Sequence, residues 1–267
     1  MIERGEFMKE NRLFQRLDDI GQLLSEEKHT LALMALGSVG IERERVDAFS
    51  DLDFFVIVED EYKQKFIDDL WWLEEINPLS YIFKNTKDGY KVLFEDGIYA
   101  EFAVFGESEM TDVAQPYGRI IWRRAEYTDE AITKMKGNIP QMKSDDASYV
   151  INEALTNLYV GLLRTLRGER LSGLFYIESY ALNRILSIVH LFEKEDKIYE
   201  DVFGIERRFE KHYPEFSKKL PKMLSGYQTI GLSASAMLEY LDSIYPLNLR
   251  LKSEIKSLIQ RVNNVIL

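Results

Sequence analysis

The stretch "ALGSVGIERERVDAFSDLDFFVIVED", residues 35–60, joins two apolar runs through a long polar spacer. The first run ends at Gly37-Ser38, and the second begins with the acidic pair Asp51 and Asp53. β-Branched and aromatic residues favour strands, so both runs are predicted to be buried strands. A carboxylate at the mouth of a buried strand costs desolvation energy unless a cation or several donors satisfy it. The pattern therefore predicts a cation between the Gly-Ser pair and the two aspartates.

Gly37 and Ser38 are suited to hold phosphate. A glycine lets the backbone approach a ligand closely, and the N–H groups of a turn after a strand, together with a Ser hydroxyl, form a cradle for an anion. Asp51 and Asp53 are two residues apart, so on an extended segment both project from the same face. Carboxylate oxygens beside substrate phosphates are the ligands that Mg²⁺ takes in proteins. The sequence thus predicts a site for a metal ion and a nucleoside triphosphate.

Glu101 is the candidate third acid. It lies in the apolar run "YAEFAVF", where a lone glutamate is costly unless it is paired or functional. If this strand lies beside that of Asp53, Glu101 either accepts the proton of an attacking hydroxyl or joins Asp51 and Asp53 as a metal ligand. The alternative is a hydrated sheet face, since alternation places Tyr99, Glu101 and Ala103 on one side.

The composition limits the classes of function. A chain of 267 residues, 46% of them hydrophobic, can form one large domain or two modest ones. The net charge of −11 argues against a protein that binds nucleic acid mainly by neutralising phosphates, and it suits a cationic small substrate. The absence of cysteine excludes disulfides and thiolate metal sites, and the three histidines disfavour a histidine-rich one.

No segment of the sequence reads as a targeting or membrane element. The N-terminal residues are charged and lack the apolar centre of a signal peptide, and no window is apolar enough to span a bilayer. We therefore expect a soluble, cytoplasmic protein.

The periodicity of apolar residues divides the chain into two halves. In the first, helical spacing covers residues 8–27 and 59–76, and strand patterns cover residues 30–36 and 53–58 and three runs after Pro78. The last two of these runs are joined by a hairpin across Glu95-Asp96-Gly97.

The second half is predicted to be helical. From about Asp145 onward the predicted helices cover residues 148–169, 172–193, 233–244 and 248–265. Residues 136–146 are the candidate linker, because they carry Gly, Asn, Pro and Ser. The predicted fold is therefore α+β: a mixed-sheet nucleotide-binding domain over residues 1–138 and a C-terminal helical bundle over residues 139–267.

These motifs resemble the nucleotidyltransferase superfamily of the DNA polymerase beta type, which has Gly-Ser, a spacer, Asp-x-Asp before an apolar strand, and a later carboxylate between apolar residues. The whole chain is similar to the small antibiotic nucleotidyltransferases. "GIYAEFAVFGESEM" (residues 97–110) resembles the segment of the lincosamide enzymes that carries their catalytic glutamate. "NLYVGLLRTLRGERLSGL" (residues 157–174) resembles their bundle region, and "YKVLFEDG" (residues 90–97) resembles the streptomycin adenylyltransferases.

The resemblance implies an Mg²⁺-dependent enzyme. Such an enzyme transfers a nucleoside monophosphate from a nucleoside triphosphate such as ATP to a hydroxyl of a lincosamide- or aminoglycoside-like antibiotic, and it releases pyrophosphate. Glu101 would be the catalytic base, Asp51 and Asp53 would hold the metal with Glu101, and the Gly-Ser pair would bind the nucleotide. Related antibiotic enzymes often pair, so a homodimer is an expectation, while the acceptor and the nucleobase stay open.

Two further groups of residues are candidates with stated alternatives. Arg43 and Arg45 in the spacer either reach the phosphates or form a solvated charged face. Four polar residues of the predicted bundle either line the acceptor pocket or face water: Tyr159, Arg164, Arg167 and Glu169.

The alternative function is a regulatory or antitoxin-like protein that uses the same fold to act on a protein partner. Minimal nucleotidyltransferases paired with helical toxins resemble the first half, but they are short separate chains, which disfavours this alternative. RNA-directed nucleotide addition is disfavoured by the acidic balance and by the lack of a basic stripe with interleaved aromatic residues. The expected partners are a nucleoside triphosphate and a small hydroxylated acceptor, with no nucleic acid and no membrane.

Overall fold

The computed structural model of the chain describes residues 2–47, 49–113, 118–127, 141–198 and 204–265. Side chains are described for all of these except residues 2–11, 45 and 265. The chain divides into two compact units, Met1–Asn138 and Ile139–Leu267. The predicted domain boundary and the first part of the predicted linker fall within residues 128–140, outside the described residues.

The N-terminal unit is built on a mixed sheet. Its six strands are β1 (Thr30–Ala35), β2 (Leu52–Val58), β3 (Leu79–Lys84), β4 (Gly89–Phe94), β5 (Tyr99–Gly106) and β6 (Arg119–Arg123). They lie in the order β3-β4-β5-β2-β1-β6. β2 and β5 run parallel, and all the other neighbouring strands run antiparallel. The predicted mixed sheet is confirmed.

Helices cover one face of this sheet. The first helix, α1 (Ile2–Glu26), buries four apolar residues at helical spacing, as predicted: Leu13, Leu17, Ile20 and Leu24. Two short helices, α2 (Lys63–Asp68) and α3 (Trp71–Glu74), complete the layer and contribute to the same core. The opposite face carries a smaller apolar cluster that includes Met34, Ile57 and Met110.

The single helix predicted over residues 59–76 is wrong. The backbone of Asp69 is extended, with φ −136° and ψ 115°, and this interrupts the helical path between α2 and α3. The Asp69 carboxylate accepts a hydrogen bond from the backbone N–H of Trp71 at 3.1 Å. An aspartate favours this arrangement because its side chain can accept a hydrogen bond from the backbone N–H two residues further on, in an Asx-turn.

The two edges of the sheet differ from the sequence expectation. β6, whose five residues are all half-buried, was not predicted, and it pairs with β1. β3 was predicted, but its apolar residues are largely solvent-exposed, with Tyr81, Ile82 and Phe83 each about half accessible.

The C-terminal unit is built from helices joined by loops, and it contains no strand within the described residues 141–198 and 204–265. Its first long helix is α4 (Ala147–Leu166). The second is formed by α5 (Arg170–Leu174), a π-helical segment (Phe175–Ala181) and α6 (Leu182–Ile188). The last two long helices, α10 (Ile230–Ile244) and α11 (Leu249–Val265), follow three one-turn helices. The one-turn helices are α7 (Phe209–His212), α8 (Pro214–Ser217) and α9 (Leu220–Met223). These helices enclose one apolar core, so the predicted helical bundle is confirmed.

Close packing and capping explain where the bundle helices lie. Asp146 caps α4, because its carboxylate accepts the backbone N–H of Tyr149 at 2.9 Å. Gly161 and Gly173 let α4 and α5 approach closely, since a Cβ atom built at Gly173 would lie 2.8 Å from the Gly161 carbonyl oxygen. None of the helices in the described part of the chain is long and apolar enough to cross a membrane.

Asp96, in the turn between β4 and β5, fixes this hairpin to α1. Its Oδ2 accepts hydrogen bonds from Arg12 Nη2 at 2.6 Å and from Arg16 Nη2 at 2.8 Å. The guanidinium of Arg16 is buried and lies 4.3 Å from the ring centroid of Phe94. Burial alone would raise the pKa of Asp96, but the hydrogen bond from Arg12 and the charge of Arg16 outweigh it, so the pKa lies below its ordinary value.

Asp96→Asn is expected to lower the free energy of unfolding by about 1–3 kcal/mol, because it leaves the buried charge of Arg16 beside a neutral amide. The folded-state pKa of Asp96 is depressed, so its stabilising contribution is present at neutral pH and is lost as the pH falls below the ordinary value of 3.8. Urea unfolding at about pH 7 and about pH 3 checks this, and the deficit of the variant should shrink at the lower pH.

The matched control is Glu215→Gln, which removes an exposed ion pair with Lys218. It should change the unfolding curve little. An Asp96→Asn variant that unfolds at the same urea concentration as this control would contradict the structural role given to Asp96.

Candidate active site

Three charged side chains form a row across neighbouring strands. Asp53 on β2 lies directly beside Glu101 on the parallel strand β5, and Glu101 lies opposite Lys91 on the antiparallel strand β4. Residues in register on adjacent strands point to the same face of a sheet. Here that face is the one opposite the helices, because each acid alternates with fully buried residues that face the main core. The row of Asp53, Glu101 and Lys91 is called the charged row below.

Glu101 is held by two donors at one oxygen. Lys91 Nζ lies 2.8 Å from Glu101 Oε1, and the hydroxyl of Tyr99 donates to the same oxygen at 3.0 Å. The hydrogen bond with Glu101 raises the pKa of Lys91, and the charge of Asp53 adds to this. Burial and the hydrogen bond to Glu101 raise the pKa of Tyr99, with a further contribution from the charge of Asp51. The carboxylate of Glu101 is therefore oriented by its neighbours.

The turn after β1 lies against Asp53. Gly37 has a left-handed φ of 55°, and a Cβ atom built there would lie 3.1 Å from Asp53 Oδ2. The backbone N–H of Leu36 donates to the Asp53 carbonyl oxygen at 2.8 Å, which fixes the start of the turn to β2. Ser38 follows in a 3₁₀ helix, Gly37–Val39, and is buried. The structure thus brings the Gly-Ser turn, Asp53 and Glu101 together in one region of the sheet.

Asp51 immediately precedes β2 and is half-buried. Its charge contributes to the raised pKa of Tyr99, the residue that donates to Glu101. The side chain of Arg45 is outside the described residues.

Arg119, which the sequence did not single out, clamps the turn. Its Nε donates to the carbonyl oxygen of Gly40 at 3.0 Å, and its Nη2 donates to that of Val39 at 3.0 Å. Burial lowers the pKa of Arg119, and the nearby charge of Arg43 lowers it further. Both guanidinium groups lie over the ring of Phe14, that of Arg43 at 4.7 Å and that of Arg119 at 5.9 Å from the ring centroid. Contact of Arg43 with phosphate stays a prediction.

The polar residues predicted in the bundle have structural contacts. Arg164 Nη1 donates to Glu169 Oε2 at 2.7 Å across the turn after α4, and the guanidinium lies 5.5 Å from the ring centroid of Tyr176. Arg167 ends α4 and is exposed, and Tyr159 packs partly buried against the core of the helical unit. Their role in acceptor binding stays a prediction.

The carboxylates of Asp53 and Glu101 are chemically suited to bind Mg²⁺. Carboxylate oxygens are the hard donors that Mg²⁺ prefers, and it usually takes one or two of them together with phosphates and water. Within the described ranges, no group of three or more His, Cys, Asp or Glu side chains is placed to hold a metal ion. The in-register pair therefore suits the ion, while the set of three ligands with Asp51 stays a prediction.

Gly37→Ala is expected to disturb the site beyond its effect on stability. The left-handed φ costs an L-residue about 1 kcal/mol, and the new methyl group would lie 3.1 Å from Asp53 Oδ2 and displace that carboxylate. Binding of Mg²⁺ with a nucleoside triphosphate, measured by calorimetry, should weaken about tenfold or more.

Gly97→Ala is the matched control. Gly97 also has a positive φ, 84°, but a Cβ atom there meets nothing within 4 Å. It should lose similar stability and keep its nucleotide affinity. If the two variants bind the nucleotide equally well, the turn at Gly37 is not part of the nucleotide-binding site.

Comparison with known proteins finds similarity only to solved structures. Neither a protein-family model nor a curated protein sequence gives a significant match. An aminoglycoside 6-adenyltransferase from Bacillus subtilis is 14% identical, with 95% of this chain and 97% of that chain aligned and a TM-score of 0.36. A nucleotidyltransferase-like protein from Exiguobacterium sibiricum is 14% identical over 94% of this chain and 91% of that one, with a TM-score of 0.33.

A third similar structure is a STING-associated CdnE c-di-GMP synthase from Capnocytophaga granulosa. It is 13% identical over 96% of this chain and 80% of that chain, with a TM-score of 0.31. All three similarities are distant, and the case for a function lies in the charged row and the adjoining turn.

Proposed function

We propose that this chain is a nucleotidyltransferase that moves a nucleoside monophosphate from a nucleoside triphosphate to a hydroxyl group of a small molecule. The observation that carries the proposal is the placement of Asp53 beside Glu101 on parallel strands, with Asp53 Oδ2 against the turn at Gly37. Two acids and a glycine turn at one point suit a triphosphate and the proton transfer that its reaction requires.

In this reaction the acceptor oxygen forms a bond to the α-phosphorus, and the bond from that phosphorus to the bridging oxygen breaks, so that pyrophosphate leaves. The acceptor hydroxyl gives its proton to Glu101, whose carboxylate is oriented by the hydroxyl of Tyr99. Gly37 and Ser38 bind the β- and γ-phosphates through the turn, and Arg119 keeps the turn in place. Catalysis is then mainly positioning and stabilisation of charge.

Asp53 and Asp51 would hold Mg²⁺, which would neutralise charge on the triphosphate and ease the departure of pyrophosphate. Asp53 is fixed for this task by the Leu36 N–H and by its place in β2. Asp51 is half-buried immediately before this strand and is proposed as the second metal ligand.

The acceptor is proposed to be a lincosamide- or aminoglycoside-like antibiotic. The support is the resemblance of residues 97–110 and 157–174 to the antibiotic enzymes and the net charge of −11, which favours a cationic acceptor. Tyr159, Arg164, Arg167 and Glu169 are the proposed acceptor contacts in the helical unit.

The test is Mg²⁺-dependent release of pyrophosphate from each of the four common nucleoside triphosphates, with a panel of aminoglycosides and lincosamides. A reaction without antibiotic reveals whether a nucleotide itself serves as acceptor. Mass spectrometry of the product should show the acceptor heavier by one nucleoside monophosphate. No pyrophosphate release with any acceptor would refute the proposed function, and co-purification of a small helical protein would then favour the antitoxin-like alternative.

A further inference from the structure

The charged row contains one residue whose role the proposed reaction does not yet explain. Lys91 forms an ion pair with Glu101, with a distance of 2.8 Å between Lys91 Nζ and Glu101 Oε1. It lies on β4, on the side of Glu101 opposite to Asp53. Residues 90–97, whose resemblance to the streptomycin adenylyltransferases is noted above, include Lys91, but that resemblance assigns Lys91 no role.

The ion pair suits the free protein better than the reacting one. Two carboxylates side by side repel each other, and Lys91 offsets one of their charges. During the proposed reaction, however, Glu101 must accept a proton. Glu101 Oε1 already accepts hydrogen bonds from Lys91 and Tyr99, so an acceptor hydroxyl must compete with both donors for this oxygen.

Lys91 is able to change partners. About a third of its side chain is accessible to solvent, and an ammonium group on a flexible four-carbon stem carries three donors. A hydroxyl that gives its proton to Glu101 while it attacks phosphorus must place the phosphate next to Glu101, so the phosphate comes within reach of Lys91. Phosphate oxygens are stronger competitors for an ammonium group than one carboxylate oxygen, because they carry more charge.

We propose that Lys91 binds the phosphate chain of the nucleotide and exchanges partners to do so. In the free protein it bonds Glu101, and when the nucleotide binds it moves to a phosphate oxygen and frees Glu101 Oε1 for the acceptor hydroxyl. The arrival of one substrate thereby prepares the base for the other. This inference rests on the proposed function.

A simpler role would be that Lys91 only neutralises Glu101. The two roles differ in a double-mutant cycle measured on phosphate binding. If Lys91 only neutralises Glu101, the Lys91→Met substitution loses its effect once Glu101 is uncharged. If Lys91 contacts phosphate, the loss persists.

The experiment is isothermal titration calorimetry of the full chain with Mg²⁺ and inorganic tripolyphosphate, a probe that does not depend on the nucleobase. Wild type, Lys91→Met, Glu101→Gln and the double variant are compared at fixed ionic strength. Lys91→Met is expected to weaken binding about tenfold or more in both backgrounds. Glu101→Gln alone is expected to tighten binding, because it releases Lys91 and removes a repelling charge.

Lys84→Met is the matched control, since Lys84 is an exposed lysine on β3 outside the charged row. It should change the affinity less than about twofold, because Lys84 pairs with Tyr90 and so lies on the face of the sheet opposite to Lys91, where its exposed charge is screened. Thermal melting of each variant shows that it is folded, and Lys91→Gln serves as a second variant if Lys91→Met does not fold.

Each outcome of the titration either supports or contradicts the proposed exchange of partners by Lys91. A loss below about threefold for Lys91→Met in the Glu101→Gln background overturns the exchange and leaves Lys91 as a partner of Glu101. A wild-type chain that does not bind the probe overturns both this inference and the proposed function. Binding by wild type with no effect of Lys91→Met in either background overturns the inference alone.

Discussion

Glu101→Gln is expected to lower the rate of nucleotidyl transfer by about 10²–10⁴-fold, which is the usual contribution of a positioned general base. The amide keeps the size of the side chain and can still accept a hydrogen bond from Tyr99, but it cannot take a proton. Nucleotide affinity should not fall. The measurement pairs single-turnover rates of pyrophosphate release with calorimetric nucleotide affinity.

Glu95→Gln is the control for the loss of one negative charge, because Glu95 is exposed in the turn of the same hairpin. Its rate should equal that of wild type. If Glu101→Gln loses as much nucleotide affinity as rate, Glu101 is a binding residue and not the proton acceptor. If its rate stays at the wild-type level, Glu101 has no part in the chemistry.

Asp53→Asn is expected to lower the rate by about 10²–10³-fold and to raise the Mg²⁺ concentration needed for half-maximal activity. The amide has nearly the same shape, so the pairing of β2 with β5 should persist, but a neutral oxygen is a much poorer ligand for a divalent cation. The decisive measurement is a Mg²⁺ titration of nucleotide binding. Asp53→Asn should shift its midpoint upward, whereas Glu101→Gln should shift it less.

Asp112→Asn provides the matched control, since Asp112 is exposed and follows the 3₁₀ helix after β5. Its Mg²⁺ midpoint should equal that of wild type. An unchanged midpoint in Asp53→Asn would remove Asp53 from the metal site and leave it only the role of supporting the turn at Gly37.

The elements that the sequence predicted well are those whose signals are local. α1 follows from the helical spacing of its buried leucines, and the hairpin of β4 and β5 follows from Glu95-Asp96-Gly97, where Gly97 has a φ of 84°. Strict alternation in β5 placed Glu101 on the face away from the main core. The ion pair of Lys91 with Glu101 could also have been predicted from the sequence. Lys91 and Glu101 lie five residues on either side of Asp96 (96 − 91 = 101 − 96 = 5), so they face each other in a hairpin centred there.

Other features depend on partners far away in the chain, and no local pattern encodes them. Asp53 and Glu101 are 48 residues apart (101 − 53 = 48), and their adjacency follows only from the parallel pairing of β2 with β5. Arg119 finds its carbonyl partners in the turn about 80 positions earlier. β6 contains the strand-favouring residues Ile120, Ile121 and Trp122, but a run of three apolar residues is too short to predict a strand without its partner β1.

The parallel pairing of β2 and β5 also determines when the proposed active site comes into being. A nascent chain contains Asp53 long before β5 has left the ribosome, and the two strands then meet only after a long segment has closed on itself. Loop closure over such a distance costs conformational entropy before any contact is made, so this pairing belongs to the slow part of assembly. The acid pair therefore exists only after β2 and β5 have paired, so only the completed sheet can act on a nucleotide.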